Sequence, residues 1–476
     1  MKTATLHDVF KRYDVRGVYP SELNEELAYQ IGVQFVKLLN ARTVVLGRDM
    51  RVSGPQLFEA LAQGIADGGA QVIDIGLVST DALYFAVGKY HYDGGIMLTA
   101  SHNPAEYNGM KFTRQNAEAL SLETGLAQIR DAIMNGGRSV SSDGSVNSGS
   151  TGGGGSKNGG SYNNAKPSQE SAGAARIKRD ILEDFAAHCL SFIDTKSIKP
   201  FKIAIDTGNG MGGKIIPPVF KHLPCEIVPL YFELDGSFPN HPANPLEPEN
   251  IRDLQEAVKK HKCDLGVAFD GDADRMFILD EKGNLVTGDI VTALVAINTL
   301  KHHPHQTVLY NVVCSQTVPE VITAHSGKPR RAPVGHSLIK KIMRDEDIIF
   351  GGEHSGHFYF RDNWYADSGM IALLQCLQVF SETDKKISEI IAPIDKRFRS
   401  GEVNRKVKDI PAAIAKLEAH HTNAELNHLD GVTITYPDWW MNVRSSNTEP
   451  LLRINIEANS EDVLNAKLEE VLALLA

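Results

Sequence analysis

A serine and three aspartates, in two segments far apart along the chain, have the residue types and spacing that could support chemistry. Ser101 lies in Thr-Ala-Ser-His-Asn-Pro (99–104), directly after the apolar run Gly-Ile-Met-Leu. A second apolar run, 265–269, precedes three aspartates at alternate positions, Asp270, Asp272 and Asp274. A serine on a loop can carry a phosphoryl group, and alternate carboxylates can hold the hard cation that such a group needs. Together the two segments indicate phosphoryl transfer through a phosphoserine.

The aspartate segment also resembles the start of a calcium-binding EF-hand loop, with Glu281 at the twelfth position. That loop requires glycine at its sixth position, where Arg275 stands, and it lies between two helices. Here the flanking segments, 265–269 and 276–279, have the apolar composition of buried strands. A loop between strands favours a Mg²⁺ site with open positions, and the remaining alternative is an exposed acidic turn.

Ser101 and His102 also allow an acyl-transfer interpretation, with the serine as nucleophile and the histidine as base. We expect the two adjacent side chains to diverge in an extended loop, and no Gly-x-Ser-x-Gly nucleophile elbow surrounds them. A serine that caps the start of a helix is the other alternative. The Ser101 segment by itself does not decide between these interpretations.

Two further polar loops could bind a phosphorylated sugar. Glu353 and Ser355 lie on a glycine-containing turn between apolar runs, where a carboxylate and a hydroxyl two residues apart can bind vicinal hydroxyls. The loop 444–450 combines a guanidinium, hydroxyls and an amide, which are phosphate-binding groups: Arg444, Ser446, Asn447 and Thr448. The alternative for both loops is a polar turn without a ligand.

Three more titratable residues lie within two positions of a glycine: Arg16, Lys111 and His336. Individually, such cations are more often solvated surface charges. His336 precedes a predicted helix, 337–344, and a histidine at a helix start can bind an anion or simply cap the helix.

Alternating strand and helix patterns predict the sheets that must position these loops. A strand at 43–46, a helix at 56–67 and a strand at 71–76 form a βαβ unit, which implies a mostly parallel sheet. The pattern restarts at 202–206 and at 307–310, which predicts three α/β units in tandem. The tail differs, with two predicted strands and an amphipathic helix that indicate a smaller α+β domain: 432–436, 451–456 and 461–475.

The chain of 476 residues is too long for one core, so about three or four domains are expected. From residue 136 to about 175 the sequence is rich in glycine, serine and asparagine and has almost no apolar residues, which predicts a flexible insertion. The predicted division is a first domain 1–135, the insertion 136–175, and further domains 176–279, 280–395 and 396–476.

Composition limits the classes of partner. The net charge of −10 argues against a general nucleic-acid or membrane-surface binder, so a phosphate-ester site must concentrate its Arg and Lys in one cleft. Five widely spaced cysteines without a CxxC pair are typical of free thiols in a reducing cytoplasm. No stretch approaches ~18 apolar residues and the first ten residues have no apolar core, so we expect neither membrane spanning nor secretion.

Seven segments in order along essentially the whole chain resemble the α-D-phosphohexomutase superfamily, and most closely its phosphomannomutase/phosphoglucomutase branch. They read YDVRG, TASHNP, NGMK, DGDADR, VGHSLIK, GGEHSGH and RSSNTEP. Phosphoglucosamine mutases typically have Pro-Ser-Gly-Thr where this chain has Ser-Ser-Asn-Thr at 445–448. The segment 351–370 is similar to bacterial phosphomannomutases.

The resemblance implies three tandem mixed-sheet α/β domains and a C-terminal α+β domain around a central cleft, each with one loop in the cleft. It implies an isomerase that interconverts hexose 6-phosphate and hexose 1-phosphate through a phosphoserine and a 1,6-bisphosphate intermediate. Mannose is the implied sugar, and glucose shares its 3- and 4-hydroxyls. Mg²⁺ is the implied cofactor, with hexose 1,6-bisphosphate as activator.

The resemblance also implies a role for each matching residue. Ser101 would be the phosphoserine, and acid/base and charge roles would fall to Lys111, Arg16 and His102. The metal would be held by the Ser101 phosphate with Asp270, Asp272 and Asp274. Glu353 and Ser355 would bind the sugar hydroxyls, Arg275 and His336 would line the site, and the second phosphate would be held by Arg444, Ser446, Asn447 and Thr448.

Two positions depart from the family pattern. Some relatives carry lysine where Val313 stands and others where Pro333 stands, and Arg331 could replace such a phosphosugar contact. The resemblance implies a cytoplasmic monomer or homodimer that acts on hexose phosphates. The alternative is a non-catalytic sugar-phosphate-binding homologue, against which the intact serine, aspartates and Lys111 argue. A serine hydrolase is the third possibility, and it gives the aspartates no role.

Overall fold

The computed structural model describes residues 6–136, 176–446 and 451–475. The predicted insertion lies outside these residues, apart from its first residue, Gly136. Asn447 and Thr448 of the predicted phosphate-binding loop also lie outside them.

Six strands form the first sheet: β1 (Val15–Val18), β2 (Thr43–Arg48), β3 (Gln71–Leu77), β4 (Gly94–Leu98), β5 (Tyr107–Arg114) and β6 (Ile177–Lys178). Their order is β1-β5-β4-β2-β3-β6. The pairs β4–β2, β2–β3 and β3–β6 are parallel, whereas β5 is antiparallel to β4 and to β1. The predicted βαβ unit is confirmed, because a helix at Gly54–Asp67 connects the parallel strands β2 and β3.

The next two sheets each have five strands and are also mixed. The second contains β7 (Lys202–Asp206), β8 (Glu226–Leu230), β9 (Leu265–Phe269), β10 (Met276–Leu279) and β11 (Leu285–Val286), in the order β11-β10-β9-β7-β8. The third contains β12 (Thr307–Asn311), β13 (Lys328–Ala332), β14 (Phe350–Gly352), β15 (Phe358–Phe360) and β16 (Ala366–Asp367), in the order β13-β12-β14-β15-β16. The three predicted tandem α/β units are therefore confirmed.

The fourth sheet is wholly antiparallel, which confirms the predicted change of architecture in the tail. It contains β17 (Phe398–Arg405), β18 (Glu425–Asn427), β19 (Val432–Thr435), β20 (Trp439–Ser445) and β21 (Leu452–Ala458). Their order is β17-β21-β20-β19-β18.

The helices of the first two domains are α1 (Leu6–Val9), α2 (Glu25–Leu39), α3 (Gly54–Asp67), α4 (Thr80–Lys89), α5 (Ala127–Met134), α6 (Leu182–Leu190), α7 (Gly212–Phe220) and α8 (Arg252–His261). Those of the last two are α9 (Gly288–His302), α10 (Thr317–Ala324), α11 (His336–Asp345), α12 (Gly369–Ser381), α13 (Ile387–Ile391), α14 (Ile410–His420) and α15 (Glu461–Leu474). Several begin at a side chain that accepts an otherwise unpaired N–H of the first turn, as the cap residues Asn24, Ser368, Asp409 and Ser460 do.

One hydrophobic core joins the first three domains. It includes Phe85 of α4, Phe185 of α6, Ile215 of α7, Leu294 of α9 and Leu373 of α12, all at most 1% exposed. Each such side chain contributes about 1.5–3 kcal/mol when fully buried. Shared packing of this kind fixes the relative positions of the loops at the ends of the three sheets.

The fourth domain has its own core, formed by one face of its sheet and two helices. Leu417 of α14 and Val471 of α15 pack with Ile434, Met441 and Ile454 of the sheet. The predicted helix 461–475 ends one residue earlier, at Leu474, and its apolar stripe faces this core as predicted.

The predicted domain limits stay a prediction, and two short strands show where sheet membership differs from them. β6 pairs with β3 of the first sheet, although it follows residue 175. β11 pairs with β10 of the second sheet, although it follows residue 279. Both are edge strands, which have too few residues to give a clear periodicity in the sequence.

Candidate active site

The Ser101 loop follows the buried strand β4 and is held in an uncommon backbone conformation. Ser101 has a φ of 50°, in the left-handed region that non-glycine residues seldom occupy, and it is only 4% exposed. Its N–H donates to the Thr99 hydroxyl at 2.9 Å. No helix begins at Ser101, so the interpretation as a helix cap is wrong.

The Arg51 side chain holds the backbone of the Ser101 loop in place. Its buried guanidinium donates to four backbone carbonyls at 2.7–2.9 Å, those of Ser101, Asn103, Pro104 and Tyr107. Its Nε lies 3.3 Å from Oδ2 of Asp49, which is also fully buried. Without these contacts the loop could adopt several conformations. The contacts hold it in one of them and so fix the direction of the Ser101 side chain.

The aspartate loop follows β9 and meets the Ser101 loop directly. The Ser101 hydroxyl donates to Oδ2 of Asp270 at 2.7 Å. A Cβ on Gly271 would lie 2.5 Å from the Ser101 carbonyl oxygen, so the two backbones touch at a position that only glycine can occupy without displacement. The structure thus brings together the two motifs that the sequence separates.

The three carboxylates fit a hard divalent cation. One oxygen from each of Asp270, Asp272 and Asp274 lies within 4.8 Å of the other two, and all three residues are at most 1% exposed. Among the described residues, Oδ1 of Asp272 and Oδ1 of Asp274 are buried without a hydrogen-bond partner. Buried carboxylate oxygens normally have a partner, so these two are available as ligands.

Lys111 supplies a positive charge to the aspartate cluster. It lies on β5, opposite Met97 of β4, and its Nζ donates to Oδ2 of Asp272 at 2.7 Å and to Oδ2 of Asp274. Burial would lower the pKa of Lys111, but the charges of both aspartates raise it well above its ordinary value. Lys111 is therefore held as an ammonium.

The carboxylates of this cluster differ in their electrostatics. Burial raises the pKa of Asp270 to about 7, although the charge of Arg275 opposes the shift. Burial acts in the same direction on Asp272, but the charge and hydrogen bond of Lys111 and the hydroxyl of Thr80 lower its pKa below the ordinary value. A cation or a neighbouring positive charge is thus required to hold all three groups ionised together.

Arg275 connects Ser101 with the aspartates. Its Nε donates to Oδ2 of Asp270 at 2.9 Å, and one of its terminal nitrogens lies 3.2 Å from the Ser101 hydroxyl and also contacts Nδ1 of His102. The charge of Arg275 and burial lower the pKa of His102 well below its ordinary value, so the imidazole is neutral.

The expected divergence of Ser101 and His102 is wrong. The Ser101 hydroxyl lies 3.3 Å from Nδ1 of His102, because the left-handed conformation of Ser101 turns both side chains towards Arg275. This geometry does not favour the acyl-transfer interpretation, because the hydroxyl donates to Asp270 and the imidazole accepts from Arg275.

Arg16 reaches the same loop from β1. Its guanidinium donates to Oδ1 of Asn103 and to Oδ2 of Asp14, each at 2.6 Å. It is therefore a half-buried, paired cation at the edge of the Ser101 loop and not a solvated surface charge.

The third domain supplies the loop between β14 and β15. Glu353 is 2% exposed and accepts hydrogen bonds from Nδ2 of Asn311, at 3.1 Å, and from the Tyr359 hydroxyl. Burial raises the pKa of Glu353. The Ser355 hydroxyl lies 3.1 Å from Nδ1 of His357.

His357 links this loop to the aspartate cluster. Its Nε2 lies 3.8 Å from Oδ1 of Asp274 and 3.9 Å from Oδ2 of Asp367, and its ring stacks at 6.2 Å on that of His336, the first residue of α11. Burial lowers the pKa of His357 to about 3. The third-domain loop and His336 therefore lie beside the Asp270 loop.

The fourth domain contributes Arg444, at the end of β20. It is 3% exposed, donates to Oε2 of Glu402 at 3.0 Å, and its Nε is buried without a partner among the described residues. The Ser446 N–H donates to the Leu451 carbonyl at 2.8 Å and brings the two ends of the loop together. Among the described residues, the hydrogen-bonded side-chain partner of Arg444 is Glu402 of its own domain.

Several residues of the site were not found from the sequence. The Thr80 hydroxyl donates to Oδ2 of Asp272 at 2.5 Å and the Thr80 N–H to its carbonyl at 3.0 Å, so the start of α4 supports the aspartate loop. Lys340 and Asp367 form a buried ion pair of 2.6 Å behind His357. Lys340 ends the quoted segment VGHSLIK, so its place in that motif was the available indication, whereas Thr80 had none.

Arg331, the suggested replacement for a missing lysine, lies between two domains. It donates to the Val312 carbonyl at 3.0 Å and to the Thr433 hydroxyl at 3.3 Å.

Within the part of the chain that the structure describes, no helix has the length and apolar character needed to cross a membrane.

Comparisons with known proteins agree with this arrangement of domains. Models of the phosphoglucomutase/phosphomannomutase family match four successive segments: alpha/beta/alpha domain I at 7–138, domain II at 182–283, domain III at 287–397 and the C-terminal domain at 402–474. Together these matches cover most of the chain.

Individual relatives match over nearly their full length. The chain is 38% identical to a protein of Xanthomonas campestris pv. campestris named phosphohexose mutases and 36% identical to an Escherichia coli phosphomannomutase, with 98% of each chain covered in both cases. A crystal structure of a phosphoglucomutase/phosphomannomutase family protein from Burkholderia thailandensis superposes with a TM-score of 0.84 at 29% identity, over 98% of this chain and 97% of that one. The chain belongs to the phosphoglucomutase/phosphomannomutase family.

Proposed function

We propose that this chain interconverts hexose 6-phosphates and hexose 1-phosphates, of mannose and of glucose, through a phosphoserine at Ser101. The observation that carries the proposal is the direct contact of 2.7 Å between the Ser101 hydroxyl and Asp270, within a buried cluster of three carboxylates. A hydroxyl in this position can exchange a phosphoryl group beside a bound cation. The names of the relatives, a phosphohexose mutase and a phosphomannomutase, support the same substrate class.

Asp270, Asp272 and Asp274 would hold Mg²⁺ together with an oxygen of the Ser101 phosphate. A bound Mg²⁺ supplies positive charge to the transferring phosphoryl group. Arg275 adds a second positive charge 3.2 Å from the Ser101 hydroxyl, and it stays aligned because its Nε is fixed on Asp270. Positioning and charge of this kind account for most of the catalysis of phosphoryl transfer.

In the proposed cycle, phospho-Ser101 transfers its phosphoryl group to the free hydroxyl of a hexose monophosphate. The P–O bond to Ser101 Oγ breaks as a bond to the sugar oxygen forms. The 1,6-bisphosphate then turns over, its other phosphoryl group returns to Ser101, and the isomeric monophosphate leaves. Free hexose 1,6-bisphosphate would act as activator because it can rephosphorylate Ser101.

Lys111 is the proposed acid/base residue. Its Nζ carries a proton next to Asp272 and Asp274, in the same cluster as the Asp270 that contacts Ser101, so it can give that proton to an oxygen that leaves and recover one from a sugar hydroxyl that attacks. His102, neutral and bound by Arg275, and Arg16, which fixes Asn103, would orient the Ser101 loop, and Arg16 would also add positive charge.

Glu353 and Ser355 are proposed to bind the 3- and 4-hydroxyls of the sugar, with Arg275 and His336 lining the site. The non-reacting phosphate would be held by Arg444, Ser446, Asn447 and Thr448. One phosphate pocket and one pair of hydroxyl contacts must serve both orientations of the sugar. Mannose and glucose share these hydroxyls, which is why we propose both as substrates. A cytoplasmic monomer or homodimer stays our prediction.

The test is a coupled assay with Mg²⁺ and a trace of hexose 1,6-bisphosphate, comparing mannose 1-phosphate with glucose 1-phosphate. We expect Ser101→Ala to abolish turnover of both sugars while the protein stays folded. Ser197→Ala, at an exposed serine, is the matched control and should keep full activity. Intact-mass measurement should show an increment of about 80 Da that Ser101→Ala removes and Ser197→Ala keeps.

The outcomes are distinct. Near-normal turnover by folded Ser101→Ala would disprove the phosphoserine. A phosphorylated wild-type protein that turns over neither sugar would favour the non-catalytic homologue or a different hexose. The ratio of the two rates assigns the preferred sugar.

A further inference from the structure

A second group of metal-ligating side chains lies in the fourth domain, apart from the aspartate cluster. His420 is the last residue of α14, His421 follows it at the helix end, and Glu470 lies on α15. One potential ligand atom from each residue lies within 4.8 Å of the other two. None of the three residues has a part in the proposed phosphoryl transfer.

His421 is the residue that indicates a ligand. It is 3% exposed, its Nδ1 lies 3.3 Å from the Tyr436 hydroxyl, and its Nε2 is buried without a hydrogen-bond partner among the described residues. A buried polar atom without a partner costs about 1–3 kcal/mol, so such atoms are rare without a reason. In the tautomer with the proton on Nδ1, Tyr436 can accept that proton and Nε2 presents a free lone pair.

This arrangement is the one that metal-binding histidines adopt. One ring nitrogen donates to a fixed acceptor, which sets the tautomer and the ring orientation, and the other nitrogen binds the metal. Tyr436 is itself fixed, because its ring stacks on Trp439 at 5.1 Å.

His420 and Glu470 complete the group. Nε2 of His420 lies 2.9 Å from Oε1 of Glu470, while the other carboxylate oxygen, Oε2, accepts from Lys467 at 2.8 Å. A metal bound through Oε1 alone leaves the ion pair with Lys467 intact. The side chain of His420 is 45% exposed, so it can move aside to admit an ion at little cost.

We propose that His420, His421 and Glu470 bind a divalent transition-metal ion of the Zn²⁺ type, with a water as fourth ligand. Two imidazole nitrogens and one carboxylate oxygen suit Zn²⁺, whereas Mg²⁺ prefers oxygen ligands only. Ligand atoms in a tetrahedral zinc site are about 3.3 Å apart for metal–ligand distances of about 2.0–2.1 Å. To bind the ion, the distance between Nε2 of His420 and Oε1 of Glu470 must therefore lengthen slightly, and the distances from these two atoms to the His421 ligand atom must shorten.

Such an ion would connect the end of α14 to α15. These two helices cover the core of the fourth domain, and the ion would add a bond between them that the sheet does not provide. Because the ion binds the folded arrangement, its affinity appears as resistance to unfolding. The proposal does not depend on the proposed mutase activity.

The experiment is equilibrium dialysis of the full chain against Zn²⁺, with excess Mg²⁺ present to occupy the aspartate cluster, followed by metal analysis. The wild type is expected to retain one zinc that His421→Gln and Glu470→Gln each weaken by at least about 100-fold. Tyr436→Phe should weaken it about 10–100-fold, since it removes only the acceptor that orients His421. Mutase activity should be unchanged in all three variants.

The matched control is His428→Gln. His428 is an exposed histidine of the same domain that also pairs with a glutamate, Glu418, at 3.1 Å, but no third ligand lies beside it among the described residues. It should keep the zinc and the zinc-dependent rise in Tm. Equal zinc affinity in the wild type, Glu470→Gln and Tyr436→Phe would overturn the proposal even if His421→Gln failed to fold. Loss of zinc in His428→Gln would overturn it as well, as would the absence of a retained zinc.

Discussion

Lys111 and Arg275 balance the charge of the three aspartates at the level of single residues. Each cation contacts the carboxylates at hydrogen-bond distance in a region closed to solvent: Lys111 holds Asp272 and Asp274, and Arg275 holds Asp270. A cluster of three buried carboxylates without such partners would be strongly destabilising. The site is thus prepared for a cation without depending on one for its fold.

This balance predicts how metal removal affects stability. Removing Mg²⁺ from the wild type should stop turnover but lower Tm by no more than about 2 °C, because about 1 kcal/mol shifts Tm by about 2–4 °C in chains of about 150–250 residues and by less in a longer chain. Lys111→Met leaves buried carboxylates unpaired, so without Mg²⁺ it should lose about 3–5 kcal/mol of unfolding free energy and recover part of it when Mg²⁺ is added.

Thermal unfolding of both proteins, with and without Mg²⁺, checks this expectation. Lys221→Met, which removes an exposed ion pair with Glu183, is the control and should show no added dependence on Mg²⁺. A Lys111→Met protein as stable as the wild type without metal would show that Lys111 does not balance the cluster.

At the level of elements, the loops that follow β4 and β9 meet, and their close approach depends on Gly271. A Cβ there would meet the Ser101 carbonyl at 2.5 Å, and that carbonyl is held by Arg51. Neither backbone can move without breaking these contacts. The distance between the serine and the aspartates is therefore set by the absence of one side chain.

Gly271→Ala should consequently separate the two loops. We expect kcat to fall by about 100-fold, the size of effect that a displacement of about 1 Å produces at reacting groups, with a smaller change in KM. Gly54→Ala is the control, because its added Cβ would find its nearest neighbours at 3.7 and 3.8 Å. Steady-state kinetics of the two variants would contradict the expectation if both retained the wild-type kcat.

The elements were largely predictable from the sequence, and the contacts between them were not. The strand predicted at 43–46 extends over Thr43–Arg48, and the helix predicted at 461–475 ends at Leu474, because apolar periodicity reports burial directly. No pattern in the sequence predicted that Arg51 contacts the Ser101 loop. Its four acceptors lie about fifty residues further along the chain, and no local pattern encodes a contact of that separation.

The site residues follow the same division. Ser101 and the three aspartates could be predicted as a site because two chemical patterns, a loop serine and alternate carboxylates, occur together in one chain. Thr80 could not, because a threonine at the start of a helix is common and its contact with Asp272 exists only once two domains pack together. The uncommon conformation of Ser101 was likewise unpredictable, since it results from the loop's tertiary contacts.

At the scale of the whole molecule, Asp289 connects the third domain to the fourth. It lies 3.7 Å from Nδ1 of His354 and 3.5 Å from a terminal nitrogen of Arg399, on β17. Burial would lower the pKa of His354, but Asp289 raises it above the ordinary value of 6.5. Burial would raise the pKa of Asp289, but His354 and Arg399 lower it below the ordinary 3.8.

These opposite shifts predict a pH window for stability. The His354 contribution is fully present below about pH 6.5, the ordinary histidine pKa, and is lost as the pH rises through the raised pKa of the folded protein. The Asp289 contribution to stability is fully present above the ordinary aspartate pKa. It is lost as the pH falls through the lowered pKa of Asp289 in the folded protein. Both act together between these limits.

Urea unfolding of the wild type and His354→Gln across this range measures the effect. The wild type should exceed the variant in unfolding free energy near about pH 6, and the difference should shrink towards about pH 9. His261→Gln, at an exposed histidine, should follow the wild type throughout. A constant difference between wild type and His354→Gln at all pH values would exclude the ion pair as its source.

The contact between Ser101 and Asp270 also has a consequence for the synthesis of the protein. The two residues are 169 positions apart, so at about 5–20 residues per second the ribosome makes the serine on the order of ten seconds or more before its partner. The nascent first domain can arrange the serine loop with Arg51, but it lacks the three aspartates that we propose to hold the cation. On the proposed mechanism, a chain that ends before Asp270 could not exchange phosphate at Ser101, and the metal site is complete only when the second domain emerges and docks.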